Sequence, residues 1–147
     1  MAHAQAQIAF GGLKHDSSLP VEIAADQLNV DQADGSATFV GNVQISQGSM
    51  RLSAGKVRVE YETGSDTTGE ISRLLATEGV TLVNGAEAAQ SSEAIYTIST
   101  GTIVMTGDVI LTQGQNALSS DKLSVDLRAG TGTMDGRVKS IIQTGGN

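Results

Sequence analysis

The sequence predicts an all-β fold built from repeated short strands, and three observations predict it. First, residues 41–64 (GNVQISQGSMRLSAGKVRVEYETG) recur without a gap as residues 107–130 (GDVILTQGQNALSSDKLSVDLRAG). Gly41, Val43, Gln47, Gly48, Leu52, Ser53, Lys56, Val59 and Gly64 reappear as Gly107, Val109, Gln113, Gly114, Leu118, Ser119, Lys122, Val125 and Gly130. A repeat of this length is the mark of stacked supersecondary units, none of which buries its apolar face alone. Second, apolar and polar residues alternate with a period of two, the pattern of a strand with one dry and one wet face. Third, 18 glycines against one proline punctuate the alternating runs at regular intervals, as tight turns require.

The elements follow in order along the chain. Residues 1–18 read as a flexible lead-in after removal of a signal peptide. Ala2-His3-Ala4 has the small-x-small form of a cleavage site, read as the leftover or engineered start of an exported mature chain, the alternative being an arbitrary disordered N-terminus. Residues 19–147 read as a single domain, with no boundary inside it. AADQLNVDQADG (24–35) is the later part of a unit: Asp26, Leu28, Val30, Asp31 and Gly35 match Asp121, Leu123, Val125, Asp126 and Gly130. Phe39, Gly41, Val43 and Ile45 share one parity of the next strand. Val57, Val59 and Tyr61 then alternate with Lys56, Arg58, Glu60 and Glu62. Residues 64–72 are an insertion of Gly, Thr, Ser and Asp, read as a surface loop. Residues 70–77 (EISRLLAT) could form a helical turn, although the following Gly79-Val80 suggests another strand. A weaker third copy covers 78–101, and its Asn84-Gly85 is a type I′ hairpin signal. Met105, Gly107, Val109 and Leu111 share a parity, and Leu123, Val125 and Leu127 alternate with charged or hydroxylated neighbours. Gly136 and Val138 match Gly41 and Val43, so the array ends, as it begins, partway through a unit.

Composition narrows the function. A formal net charge of −7 argues against a nucleic-acid partner, whose affinity comes from Lys and Arg on phosphates, and against docking on an anionic membrane surface. No cysteine is present, so thiol and disulfide chemistry is excluded. No apolar run approaches the ~20 residues of a membrane span. Hydrophobic residues make up 39% of the chain but aromatics only 3%, so the interior is built from aliphatic branches.

A strand ending D-x-L-x-V-D, a glycine, and a short strand into G-N-V-x-I resembles the OstA-like domain of the lipopolysaccharide-transport proteins of Gram-negative bacteria. Here it is Asp26-Gln27-Leu28-Asn29-Val30-Asp31, Gly35, and Phe39-Val40-Gly41-Asn42-Val43-Gln44-Ile45. The next family segment resembles Ile71-Ser72-Arg73-Leu74-Leu75-Ala76-Thr77-Glu78-Gly79-Val80, and Gly107-Asp108-Val109-Ile110-Leu111 repeats the motif. The resemblance runs from about residue 19 to about residue 142. One departure is Glu78-Gly79-Val80 where the family pattern has G-N-V, which leaves the middle register open. The lack of an apolar anchor and the end at Asn147 make the chain most similar to the small periplasmic bridge branch of the family. The resemblance implies a twisted antiparallel β-jellyroll with an apolar groove for the acyl chains of lipopolysaccharide, located in the periplasm. It implies head-to-tail self-association, an LptC-like inner-membrane partner at the N-terminal edge and an LptD-like outer-membrane partner at the C-terminal edge. It implies no cofactor and no metal.

On this reading the lining residues are the inward-parity aliphatics. The first unit supplies Leu28, Val30, Phe39, Val43, Ile45 and Leu52, followed by Val57, Val59 and Tyr61. The middle supplies Val80 and Leu82, then Ile103, Met105, Val109 and Leu111. The last unit supplies Leu118, Leu123, Val125 and Met134. The same residues would equally fill a dry sandwich core. Phe39, Met105 and Met134 fall at equivalent repeat positions, where a soft thioether adapts to irregular contacts. Lys56 and Lys122 also recur at matching positions, as solvated strand faces or as holders of lipid phosphate.

An enzyme is not indicated. His3 and His15 lie in the lead-in, and the sequence has no G-x-S-x-G, H-E-x-x-H or Cys/His metal spacing. Asp31, Asp108, Asp126 and Asp135 read as turn or strand-end residues. Two other classes fit the repeat itself: a structural adhesin- or fibre-like β-protein without lipid, and a polysaccharide-active β-helix enzyme.

Overall fold

The computed structural model describes residues 19–31, 35–61 and 71–141, and the backbone of 5–9. Thirteen strands form one antiparallel ladder: β1 (Gln5–Ala9), β2 (Glu22–Ala24), β3 (Gln27–Asp31), β4 (Ser36–Gln47), β5 (Met50–Tyr61), β6 (Ile71–Thr77), β7 (Val80–Asn84), β8 (Glu87–Ser91), β9 (Glu93–Thr97), β10 (Thr102–Gln113), β11 (Asn116–Asp126), β12 (Thr131–Asp135) and β13 (Lys139–Ile141).

The long strands β4, β5, β10 and β11 take part in two half-sheets. The outer parts of the units pair in the order β3-β4-β5-β6-β9-β10-β11-β12-β1. The hairpin parts pair in the order β2-β4-β5-β7-β8-β10-β11-β13. Between the halves lies a row of corners. Positive φ marks them at Gly41-Asn42 (86°, 48°), Glu78-Gly79 (67°, 85°), Gly107-Asp108 (89°, 49°) and Gly136-Arg137 (85°, 49°). The register slips there, between Val40 and Val43 and between Thr106 and Val109, as bulges that turn a strand do. Glu78-Gly79 therefore keeps the corner of the third copy with glycine moved one place, and the middle register is settled.

The corners are sterically matched. A Cβ on Gly41, Gly107 or Gly136 would lie 2.7 Å from the side chain of Asp26, Ser92 or Asp121 respectively. At the second corner the small residue sits on the facing strand instead: a Cβ on Gly55 would lie 2.8 Å from Glu78 Cβ.

Residues 71–77 form strand β6, not a helical turn. Leu74 and Ala76 are buried with strand alternation, and pairing to β5 and β9 outweighs the local helix propensity of the Leu-Leu-Ala run. The expected type I′ turn is also corrected. Asn84 pairs with Glu87, so Gly85 and Ala86 are the central residues. Positive φ at Gly85 (64°) but not at Ala86 fits the II′ pattern, with glycine first. Within the stretch read as a flexible lead-in, Gln5–Ala9 is strand β1, paired to β12. His3, His15 and Ala2-His3-Ala4 lie outside the described residues, as does most of the 64–72 insertion.

Candidate functional site

Period-two side chains from both half-sheets face one interior, in rows that cross the strands. In the outer half one row runs Phe39, Val57, Ala76, Ala94, Met105, Leu123, Met134. The next runs Ala37, Val59, Leu74, Tyr96, Ile103, Val125. In the hairpin half a row runs Ile45, Leu52, Leu82, Ala89, Leu111, Leu118. Val43, Val80 and Val109 sit just past the corners and are buried. Phe39, Met105 and Met134 thus share one row, as the repeat requires.

The halves pack face to face. Most inward positions are almost fully buried: Val57, Val59, Ile103, Met105, Val109, Leu111, Leu123 and Met134 are each 0% exposed. Phe39, Tyr61 and Leu118 are partly buried against this core. Tyr96, from the outer half, donates its phenol hydrogen to Gln47 Oε1 of the hairpin half at 2.6 Å.

Two expected lining residues depart from this. Leu28 and Val30 keep the inward register, opposite Phe39 and Ala37, but are 51% and 66% exposed. The cause is position: among the described strands β3 is the last of its half-sheet and pairs only with β4. Among the described residues, the inward face therefore continues without a covering strand to the N-terminal end.

Sequence reasoning missed several interior residues. Leu127, Tyr96, Met50, Ala54 and Ala89 are buried, as are Leu74 and Ala76. Leu127 was legible from its own alternation. Tyr96 shares the parity of Ala94 in the weak third copy. In the sequence Asn84 reads as turn chemistry and Gln47 only as a repeat identity, and Glu87 carries no signal, yet Gln47, Asn84 and Glu87 are buried on the inward face.

The outer surface carries the charge. Lys56 and Lys122 are exposed, on the face opposite the interior. Arg73 donates to Glu60 at 2.6 Å. At the last corner Arg137 donates to Asp121 at 2.7 Å, beside a surface depression lined by Asp108, Ser119 and Asp121. The hydrogen bond from Arg137 holds the Asp121 carboxyl below its usual value, and the same bond raises Arg137. At the equivalent first corner Asn42 donates to Asp26 at 2.9 Å. Asp126 accepts from the backbone N–H groups of Arg128 and Ala129, the turn role expected of it. Among the described residues no cluster of three or more His, Cys, Asp or Glu could hold a metal ion, and no helix is long and apolar enough to cross a membrane.

The family described as LptA/(LptD N-terminal domain) LPS transport protein matches residues 22–131. The chain belongs to this family. It is a family of transport proteins, not of enzymes. An uncharacterized protein of Rhizobium meliloti (strain 1021) is 33% identical over 136 residues, covering 87% of this chain and 73% of that protein. Lipopolysaccharide export system protein LptA of Escherichia coli K12 is 29% identical over 116 residues. That match covers 74% of this chain and 60% of the E. coli protein, so the chain spans less than two thirds of that relative. The fold is similar to the crystal structure of LptH from Pseudomonas aeruginosa. The TM-score is 0.77 at 16% identity, over 88% of this chain and 99% of LptH. LptH is described as the LptA-homologous periplasmic component of a lipopolysaccharide transport device. The jellyroll of the LptA-like fold is thus the architecture of this chain.

Proposed function

We propose that the chain is a periplasmic lipopolysaccharide-binding transport protein that holds lipid A acyl chains between its two half-sheets. It joins end to end with copies of itself and with family partners, LptC-like at the β2/β3 end and LptD-like at the β12/β13 end. The observation that carries this reading is the inward apolar face that runs past the last covering strand, to Leu28 and Val30. An apolar face open at its end is what a neighbouring unit would continue, and acyl chains gain ~25 cal/mol per Å² of apolar surface buried. The interior is branched aliphatic, with small side chains that yield to an acyl chain where large aromatics would plug the path. It is also closely packed, so entry of a chain requires the half-sheets to part. The anionic head group stays in water, away from an acidic protein.

The test is photocrosslinking with lipopolysaccharide. A crosslinker replacing Val59 or Val125 is expected to capture lipid, and one replacing Arg58 or Ser124 is not. Equal capture at both parities would overturn the interior as the lipid path.

A further inference from the structure

The hairpin half-sheet ends, on its inward face, in a row that is mostly polar. Gln47, Met50, Asn84, Glu87, Gln113 and Asn116 share one register line across β4, β5, β7, β8, β10 and β11. Gln47 is 1%, Met50 2%, Asn84 4% and Glu87 9% exposed, while Gln113 and Asn116 are half-buried. The next inward row, two residues along each strand, is Ile45, Leu52, Leu82, Ala89, Leu111 and Leu118. An abrupt change from aliphatic to amide and carboxyl, at constant parity and with Gln47, Asn84 and Glu87 as buried as the aliphatics, is costly in a dry core unless every polar atom is paired.

Most of the row is paired. Gln113 Nε2 donates to Glu87 Oε2 at 2.6 Å. Gln47 accepts from Tyr96 and donates through Nε2 to the carbonyl oxygen of Leu19 at 2.8 Å. Ser49 donates to Asn84 Oδ1 at 3.1 Å. Asn84 Nδ2 is the exception: it is buried and has no hydrogen-bond partner. With Oδ1 taken by Ser49, the unsatisfied group is a donor, and its side chain stands on the inward face next above Leu82.

We propose that this row is a hydrogen-bonding shelf for the carbonyl groups of an acylated ligand, with Asn84 Nδ2 as the donor that the carbonyl satisfies. The inference rests on the lipid reading above and deepens it. An acyl chain lying along Leu82 and Leu52 has its polar attachment, an ester or amide carbonyl, at the end of the chain, where the aliphatic rows give way to the shelf. Asn84 then sets the depth of insertion: chain below the shelf, sugar above it. A purely apolar groove would let the chain slide freely. A single unpaired donor adds a preferred stop of modest strength, compatible with onward movement.

The experiment compares two amphiphiles with the same twelve-carbon chain and a disaccharide head: sucrose monododecanoate, which has an ester carbonyl, and dodecyl maltoside, whose chain is joined through a glycosidic (ether-type) oxygen with no carbonyl. Affinities are measured by calorimetry below the micellar concentration for the wild-type chain, Asn84→Leu and Asn84→Ala. The wild type is expected to prefer the ester by about 3- to 10-fold, the yield of one net hydrogen bond. Both variants are expected to lose that preference while keeping the ether affinity. Asn84→Leu should also melt no lower than wild type, because it removes the unpaired buried N–H while the exposed Ser49 hydroxyl can turn to water. A residue with a merely structural role would lower the melting temperature and leave the ester-to-ether ratio unchanged. An equal affinity for both amphiphiles in the wild type, or an unchanged ratio in both variants, overturns the shelf while leaving the lipid reading standing. If neither amphiphile binds the folded protein, the lipid reading falls and the shelf with it.

Discussion

The phenol of Tyr96 and the amide of Gln47 meet 2.6 Å apart in the buried interior, one from each half-sheet. The contact ties together two faces that the apolar rows alone would hold only by non-directional packing. Its loss should cost about 1–3 kcal/mol, the range for a buried hydrogen bond whose partner is left behind. Tyr96→Phe is therefore expected to lower stability by that amount in urea unfolding. Tyr61→Phe, on a half-buried residue at the end of β5, should change it by less than about 0.5 kcal/mol. Equal losses in the two variants would show that the Tyr96 hydroxyl does not clamp the halves.

The interior rows were legible because a strand has no freedom in its parity: once Val57, Val59, Leu123 and Val125 are placed inward, the repeat places Phe39, Met105 and Met134 with them. Burial was less legible than parity. Leu28 and Val30 obey the same alternation, but whether an inward face is covered depends on which strand lies opposite, and at the end of the array no described strand does. The third copy was the hardest to read. Its corner exchanges glycine and a larger residue between strands, and its β6 carries helix-favouring residues. The polar shelf escaped notice because Gln, Asn and Glu beside a glycine turn carry the same signal whether they face water or the core.

The exchanged corner makes a second prediction. Gly55→Ala should destabilise by about 1–3 kcal/mol through overpacking, since its Cβ would sit 2.8 Å from Glu78 Cβ. Glu78→Gly removes that Cβ and relieves a side chain at φ 67°, so alone it should be nearly neutral. Combined with Gly55→Ala it should restore most of the lost stability. A double-mutant cycle with no coupling would mean that the two corner residues do not compete for space.

The fourth corner predicts a pH effect. The folded-state pKa of Asp121 is lowered by the hydrogen bond from Arg137. A lowered carboxyl contributes stability that is fully present above its unfolded value, 3.8, and lost as pH falls through the folded one. Both side chains are largely in water, so the contribution is small. The direct measurement is the NMR titration of Asp121. Its midpoint should lie below 3.8 in the wild type and rise toward that value in Arg137→Gln. An unchanged midpoint in the variant would assign the shift to another cause.

The two ends of the ladder predict how the protein associates. Among the described residues, β2 and β3 at the N-terminal end each pair only with β4, and β13 at the C-terminal end pairs only with β11, so each leaves a strand edge able to template addition. The outer half differs at its C-terminal end, because β1 already occupies the edge of β12 from Gln5 opposite Asp135 to Ala9 opposite Thr131. An incoming copy whose β3 is to extend that half-sheet must displace β1 or add outside it. Successive N–H groups of a strand point to opposite sides, so prolines at both Gln7 and Ile8 remove a ladder bond to β12 whichever way the strand is turned. If β1 is a cover that must leave, Gln7→Pro/Ile8→Pro should raise the share of larger species in sedimentation at a given concentration. A fall in that share would make β1 itself the docking edge. Contacts between unlike ends propagate without closing, so species size should also grow with concentration. An unmodified chain and a proline variant that both stay monomeric across the whole concentration series would overturn the end-to-end bridge.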